Sequence, residues 1–132
     1  MRVRWSFRCY RSPDGTDQIR KWYDGSSKQL QARFLSRLRT LAQLPFAEWN
    51  ENFYKELHGS CAGIGEIRFQ ADKVQQRPLG FRSAEWEFTL LFCATEKGGK
   101  FVPLSACEKA LARKQEVLRN RGQTNVLWLA LE

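Results

Sequence analysis

Apolar and polar residues alternate at the start of the chain. This period of two is typical of a β-strand with one buried and one exposed face. The apolar positions are Val3, Trp5, Phe7 and Cys9. A Ser-Pro-Asp-Gly turn signal follows at residues 12–15, and residues 17–24 are predicted to form a short helix.

Apolar residues at helical spacing indicate two helices in the next part of the chain. The first stripe consists of Leu30, Phe34, Leu38, Leu41 and Leu44. Pro45 ends this helix and suits the first turn of a second, which is predicted from Phe46 to Leu57 with Gly59 as its stop. Because the link is so short, the two helices are expected to pack as an antiparallel hairpin.

The pattern then changes to β-strands. They are predicted at residues 64–69, 77–82 and 88–94. The last is apolar on both faces, which is typical of a central strand, whereas Pro78 indicates an edge or a bulge in the one before. Ser105 and Glu108 form a capping-box signature that opens a helix to about Asn120, and residues 124–131 are predicted as a last strand.

This order of elements predicts the fold class. We expect an α+β fold with a mostly antiparallel twisted sheet of four to five strands, an N-terminal helical hairpin and a C-terminal helix. The helices are expected on one side of the sheet. A chain of 132 residues is the size of a single domain, which we assign to residues 1–132.

Charge narrows the range of partners. The chain has 22 Lys and Arg against 14 Asp and Glu, a net charge of +8. Residues 1–44 hold ten of these cations and three of the acids, so +7 of the charge lies in the first third. Such a field favours nucleic acid, an anionic membrane surface or an acidic protein. A basic surface without a fixed partner is the structural alternative.

Cysteine spacing and hydropathy exclude other classes. The cysteines at positions 9, 61, 93 and 107 form no C-x-x-C pair, and His58 is the single histidine. We therefore expect no zinc or other metal site and no small-molecule cofactor. No apolar run approaches the roughly 18 residues of a membrane span, and no signal segment is expected before the first strand. These features predict a cytoplasmic protein with reduced thiols and no membrane partner.

Three passages carry a resemblance to a known family. Residues 63–68, Gly-Ile-Gly-Glu-Ile-Arg, are similar to a G-L-x-E-L-R strand, and Arg77 falls where that family has the Arg of Y-R-I. Residues 92–100 with Pro103 and residues 108–110 resemble F-x-K-K-x-x-x-T-P…I-x-x-A. These motifs belong to the RelE/ParE/HigB toxin superfamily, and the chain most resembles its phage-derived, HigB-type group.

The resemblance implies an activity and two partners. Members of this superfamily typically cut mRNA on the ribosome with the RNA 2′-hydroxyl as nucleophile, and the ParE branch inhibits gyrase. The chain is therefore expected to be the toxin of a type II toxin–antitoxin pair, an endoribonuclease (mRNA interferase). Its expected partners are mRNA on the ribosome and a cognate antitoxin protein with a helix-turn-helix domain.

The same resemblance assigns candidate site residues. Arg68 and Arg77 suit stabilisation of the phosphorane, because a guanidinium is always charged and contacts phosphate at two points. Lys97 and Lys100, on a Gly-Gly loop, complete the expected catalytic set as mobile cations that can move a proton. The expected RNA-binding residues are Lys73, Arg82, Arg33 and Arg37.

Some residues depart from the family pattern and keep other interpretations open. Gln76 replaces an aromatic residue, Pro78 follows the family Arg, and Glu96 replaces a Lys. These changes favour a non-catalytic module that inhibits gyrase or binds RNA or protein; a phage-related interaction protein is a third possibility. Arg68 and Glu66 project to the same side of one strand, so an ion pair between them is the structural alternative to a catalytic role.

Overall fold

A mixed β-sheet forms the centre of the fold, and the computed structural model describes residues 2–132. Its strands are β1 (Ser6–Tyr10), β2 (Tyr54–Glu56), β3 (Gly65–Ile67), β4 (Phe69–Ala71), β5 (Val74–Ala84), β6 (Glu87–Lys97), β7 (Lys100–Val102) and β8 (Thr124–Val126). The main path of the sheet runs β2-β3-β5-β6-β1-β8, with β4 paired to β5 and β7 to β6. β1 and β6 are parallel, and the other pairs are antiparallel.

Helices cover both faces of this sheet. They are α1 (Gln18–Asp24), α2 (Lys28–Ala42) and α3 (Ala106–Arg119). The Asp17 side chain caps α1 by accepting from two backbone N–H groups, and the Ser27 hydroxyl caps α2 by accepting from Leu30 N–H. The predicted apolar stripe of α2 is confirmed, since Phe34 and Leu38 are fully buried.

Two hydrophobic clusters lie on opposite sides of the sheet. The first joins α1 and α2 to Phe7, Phe88 and Leu90. The second joins Ala106 and Ala110 of α3 to the sheet and to Cys61. Aromatic rings fill much of the first cluster. Their tilted and edge-to-face contacts connect the segment after α2 to the sheet.

The predicted fold class is wrong in the size, strand directions and layering of the sheet. The sheet has eight strands rather than four to five, and β1 adds a parallel pair to it. α3 packs on the face opposite α1 and α2, whereas all helices were expected on one side. The physical reason is that β6 carries apolar side chains on both faces, with Phe88 and Leu90 in the first cluster and Leu91 and Ala94 in the second. Both faces must therefore be covered.

The predicted second helix does not form. Residues 46–48 make a single 3-10 turn, and residues 54–56 make the edge strand β2. Asn50 ends the helical path because its side chain accepts from Asn52 N–H at 2.9 Å, an Asx turn that competes with a helix. The expected helical hairpin is therefore absent from the described chain, and His58 lies in extended backbone rather than at a helix end.

The middle of the sheet also differs from the expected strands. The predicted strand at residues 64–69 is interrupted at Arg68 and divides into β3 and β4. β5 and β6 are longer than predicted, at 11 residues each, and they meet with one extra residue on β6 between Leu90 and Phe92. This irregularity is a β-bulge, which lets long paired strands twist. The C-terminal strand is shorter than predicted, at residues 124–126.

The cysteines also differ from expectation. Cys61, before β3, forms a disulfide with Cys107 in the first turn of α3, with a Cα–Cα distance of 5.4 Å. Cys9 and Cys93 are free. The expectation of four reduced thiols is therefore wrong for this pair. A separation of 46 residues gave no local spacing signal.

Candidate functional site

Arg77 lies at the centre of a network of charged side chains on the α3 face of the sheet. The network is formed by Glu66 on β3, Arg68 after it, Gln75 and Arg77 on β5, and Glu96 on β6. Register explains the convergence. Leu79, two residues after Arg77, pairs with Glu66, and Gln75, two residues before it, pairs with Glu96. Arg77 is therefore diagonal to a carboxylate on each neighbouring strand, within reach of a long side chain.

Every nitrogen of the Arg77 guanidinium has a partner within the protein. Its Nε–H donates to Glu96 Oε1 at 3.1 Å, and the same Nε lies 2.9 Å from Glu66 Oε2. Its Nη1 donates to the backbone carbonyl of Gln76 at 2.9 Å, and its Nη2 reaches Gln75 Oε1 at 3.4 Å. Only 5% of the side chain is exposed. The guanidinium is therefore fixed in one place and compensated by two carboxylates.

Arg68 is the accessible arginine of the network. Its Nε lies 3.4 Å from Glu66 Oε2, and its Nη1 donates to the backbone carbonyl of Glu51 at 2.9 Å. The ion pair with Glu66, which the strand pattern predicted, is present. The Arg68 side chain remains 29% exposed, so part of its guanidinium faces solvent. This exposed part is suited to a phosphate oxygen.

Glu66 carries the least satisfied group of the network. Its Oε2 is buried and accepts no aligned hydrogen bond, because the single Nε–H of Arg77 points to Glu96. Burial raises the pKa of the Glu66 carboxyl, and the charges of Arg77 and Arg68 only partly oppose that shift. Two arginines and two carboxylates thus give a network of zero formal charge. The unfavourable feature of this network is one buried oxygen, Oε2 of Glu66, that accepts no hydrogen bond.

The two lysines of the expected catalytic set stand apart from this network. Lys97 and Lys100 pair across the tight β6–β7 turn, whose Gly98 and Gly99 have φ values of 60° and 77°. Both lysines are exposed. Side chains alternate along a strand, so Lys97 and its partner project to the face opposite Glu96. The structure therefore brings Arg68 and Arg77 together and places the lysines on the other side of the hairpin.

The expected RNA-binding residues lie in separate places. Arg33, on the exposed face of α2, donates to the backbone carbonyl of Gln70 at 3.1 Å. Arg37 lies over the Phe53 ring, 4.3 Å from its centroid, and Arg82 lies over Phe46 at 4.6 Å. Lys73 occupies the β4–β5 turn and is exposed. These cations do not form one patch with Arg77.

Sequence reasoning missed two members of the network. Glu96 appeared only as a departure from the family pattern, and Gln75 was not singled out. A signal for both existed in the alternation of β5 and β6, but using it requires the cross-strand register. That register depends on the bulge in β6 and cannot be read from local sequence.

Other classes of site find little support in the described chain. Within residues 2–132, no cluster of three or more His, Cys, Asp or Glu side chains is arranged to hold a metal ion. No helix in that range is long and apolar enough to cross a membrane. Comparison with family models, curated proteins and solved structures gave no match to the chain. The site must therefore be interpreted from its own geometry.

Proposed function

We propose that this protein is a toxin of the RelE/HigB kind that cuts mRNA on the ribosome and is neutralised by an antitoxin with a helix-turn-helix domain. The observation that carries the proposal is the convergence of Arg68 and Arg77 on Glu66. Motif resemblance alone assigns both arginines, and they lie nine residues apart in sequence, with Arg68 between β3 and β4 and Arg77 on β5. Two guanidinium groups held this close together can supply the positive charge that stabilises a phosphorane.

The chemistry divides among the residues of the network. The RNA 2′-oxygen attacks phosphorus and the bond from phosphorus to the 5′-oxygen breaks, which leaves a 2′,3′-cyclic phosphate. Arg68 contacts a phosphate oxygen through its exposed edge, and Arg77 supplies a fixed positive charge behind it.

Glu96 is the proton acceptor in this scheme. Its side chain is 29% exposed, whereas Glu66 is almost fully buried. It takes the proton of the 2′-hydroxyl as the new bond forms. Solvent water gives a proton to the leaving 5′-oxygen.

A second function is favoured by one specific observation. Arg77 is 5% exposed, and its charge is matched by Glu66 and Glu96. A guanidinium in that position stabilises the sheet without touching RNA. The alternative is therefore a non-catalytic module that inhibits gyrase or binds RNA or protein, in which the network has only a structural role.

An expression experiment separates the two functions. The full chain is induced in cells, mRNA 5′ ends are mapped, and plasmid supercoiling is measured in the same cultures. Arg68→Gln is the test variant because the Arg68 side chain is 29% exposed, and circular dichroism of the purified variant checks that its fold is retained. Arg20→Gln is the matched control, since Arg20 also pairs with an acid but lies on the exposed face of α1.

The results distinguish the alternatives. A nuclease gives new 5′ ends that depend on translation, disappear with Arg68→Gln and persist with Arg20→Gln. Changed supercoiling with intact transcripts identifies a gyrase inhibitor instead. Co-expression with a small helix-turn-helix protein encoded in the neighbouring reading frame should restore growth. Action on the ribosome would also imply a cytoplasmic location.

A further inference from the structure

Trp86 occupies an unusual position at the tip of the β5–β6 hairpin. Its φ is 59°, in the left-handed region that favours Gly or Asn and disfavours a bulky side chain. Its carbonyl accepts from Ser6 N–H at 2.9 Å, which fixes this backbone to β1. The indole is nevertheless 38% exposed, so burial does not explain why this residue type occupies a strained site.

The indole ring of Trp86 packs against Trp5 and borders two clefts. Its edge meets the buried Trp5 ring in a T-shaped contact, with the centroids 5.4 Å apart. One cleft of about 360 Å³ is bordered by Trp86 and the N-terminal residues 2–4, and another of about 210 Å³ by Trp86, Phe46, Arg82 and Glu85. The Trp86 ring therefore lines both clefts. Trp5 limits its movement.

Arginines surround this ring. The Arg4 guanidinium lies 6.0 Å from the Trp86 centroid, and Arg82 lies 4.6 Å from the centroid of Phe46 in the neighbouring cleft. Neither arginine forms an ion pair with a carboxylate of the described chain, in contrast to Arg68 and Arg77. Arg2 borders the larger cleft as well. The surface thus combines an accessible aromatic ring with arginines that form no ion pair, and Glu85 is the one carboxylate among the described residues that line the two clefts.

We propose that Trp86, with Arg4 and Arg82, is a stacking platform for single-stranded nucleic acid. An unpaired base stacks on the indole, and the flanking phosphates bind the arginines. A duplex presents no free base face, so it is excluded from the stacking contact. The residues that form this surface are called the Trp86 platform below.

The Trp86 platform is independent of the Arg77 network. Trp86 lies nine residues after Arg77, at the opposite end of β5. Arg82 pairs with Phe88, whose ring lies in the α2-side cluster, so Arg82 projects to the face opposite the Arg77 network. The proposal goes beyond the proposed function and does not require cleavage. A nuclease would use this platform to hold a strand at a distance from the network.

Binding by the full-length protein tests the platform directly. The probes are a fluorescein-labelled 12-nucleotide RNA, a DNA of the same sequence, and the corresponding duplexes, followed by fluorescence anisotropy. Trp86→Asn removes the ring and suits the left-handed backbone, so the fold should be retained. We expect single-strand affinity to fall by about 5- to 100-fold, the range for loss of one stacked base. Trp86→Phe should retain most of the affinity.

Leu118→Asn is the matched control, because Leu118 is also an exposed apolar residue but lies on α3. It should bind as the wild type does. Arg4→Ala should weaken binding most at low salt and make affinity less sensitive to salt. If Trp86→Asn does not fold, as judged by circular dichroism, Arg4→Ala decides the outcome, and unchanged affinity with unchanged salt dependence in that variant would overturn the proposal.

Several results would overturn the proposal. They are a wild-type protein that fails to bind either single strand, a folded Trp86→Asn protein with unchanged affinity, and duplex binding as tight as single-strand binding. A variant that loses a protein partner while its nucleic-acid affinity is unchanged would also overturn it. Equal affinity for RNA and DNA supports base stacking, and a preference for RNA adds recognition of the 2′-hydroxyl. Since 5′-end mapping is a separate measurement, failure of the nuclease proposal would leave this result intact.

Discussion

Arg77 Nε lies 2.9 Å from Oε2 of Glu66, and the two side chains are only 5% and 6% exposed. The N–H of that nitrogen is nevertheless directed to Glu96, which leaves Glu66 Oε2 without an aligned donor. A buried charge is tolerated here because opposite charges surround it, and the arrangement is costly if any member is lost. The same arrangement would be useful if RNA phosphate took the place of one carboxylate.

Removing Arg77 alone should strongly destabilise the fold. Arg77→Met leaves Glu66 buried without its nearest cation, and we expect the free energy of unfolding to fall by about 3–5 kcal/mol. Adding Glu66→Leu removes the stranded charge and should recover much of that loss. Urea denaturation of the two variants measures both effects.

The exposed Arg20–Asp24 pair provides the control for this comparison. Arg20→Met breaks an ion pair of 3.9 Å on the surface of α1 and should cost less than about 1 kcal/mol. An Arg77→Met loss no larger than the Arg20→Met loss would show that the network does not hold the sheet together.

Glu96 should separate binding from cleavage. Glu96→Gln removes a negative charge next to Arg77 and keeps an oxygen that can accept from its Nε–H. RNA affinity at low salt should rise by roughly three- to tenfold, and the gain should shrink as salt increases. If Glu96 accepts the proton, the cleavage rate should fall by about 10²- to 10⁴-fold in the same variant.

Asp24→Asn is the control for the charge change, since it makes the same change on the far side of α1. It should leave affinity and cleavage nearly unchanged. Higher RNA affinity together with undiminished cleavage would exclude Glu96 as the proton acceptor. Unchanged affinity would show that the nucleic acid does not approach Arg77.

Local sequence signals predicted the extents of α2 and α3 well, although Ser105 makes no capping hydrogen bond and the expected capping box is absent. Ser27 caps α2, and the buried stripe of Phe34 and Leu38 repeats at helical spacing. The same periodic reasoning failed at residues 46–57. Helical spacing predicts one stripe through Trp49 and Phe53, yet the Asn50 turn interrupts the backbone between them. A helix prediction that counts only apolar residues does not register a short polar turn inside an aromatic segment.

The site was predicted in part for a similar reason. Arg68 and Glu66 are separated by one residue, so the alternation of the predicted strand was enough to place them side by side, even though the observed strand β3 ends at Ile67. The contact between Arg77 and Glu96 requires the register of β5 on β6, which includes a bulge. The placement of Lys97 away from the network follows from that register as well. Motif resemblance selects residues, but only the sheet determines which of them meet.

Glu66 should make stability depend on pH in an unusual direction for a carboxylate. Burial raises its pKa above the ordinary value of 4.5. Below that ordinary value, the carboxyl is protonated in both the folded and unfolded states and no penalty arises. As the pH rises through the higher folded-state pKa, ionisation costs more in the folded protein. The contribution of Glu66 to stability is therefore present at low pH and lost with rising pH.

Glu66→Gln tests this dependence. The amide does not titrate, so the difference in unfolding free energy between this variant and the wild type should grow in favour of the variant as the pH rises from 4.5 to 7. Thermal or urea unfolding across that range measures the difference. Glu108→Gln, an exposed change on α3, should show no such trend. A wild type that gains stability relative to Glu66→Gln over this range would mean that the arginines outweigh burial.

The disulfide between Cys61 and Cys107 should stabilise the fold by joining the segment before β3 to α3. Its loop of 46 residues corresponds to about 4 kcal/mol of lost entropy in the unfolded chain. Cys61→Ser with Cys107→Ser should therefore lower the urea midpoint substantially, and dithiothreitol should lower the wild-type midpoint but not that of the double variant. Cys93→Ser is the control, because that thiol is free and should leave the response to dithiothreitol intact. A wild-type midpoint that is insensitive to dithiothreitol, with four thiols labelled by iodoacetamide in the unfolded protein, would show that the bond does not form in solution.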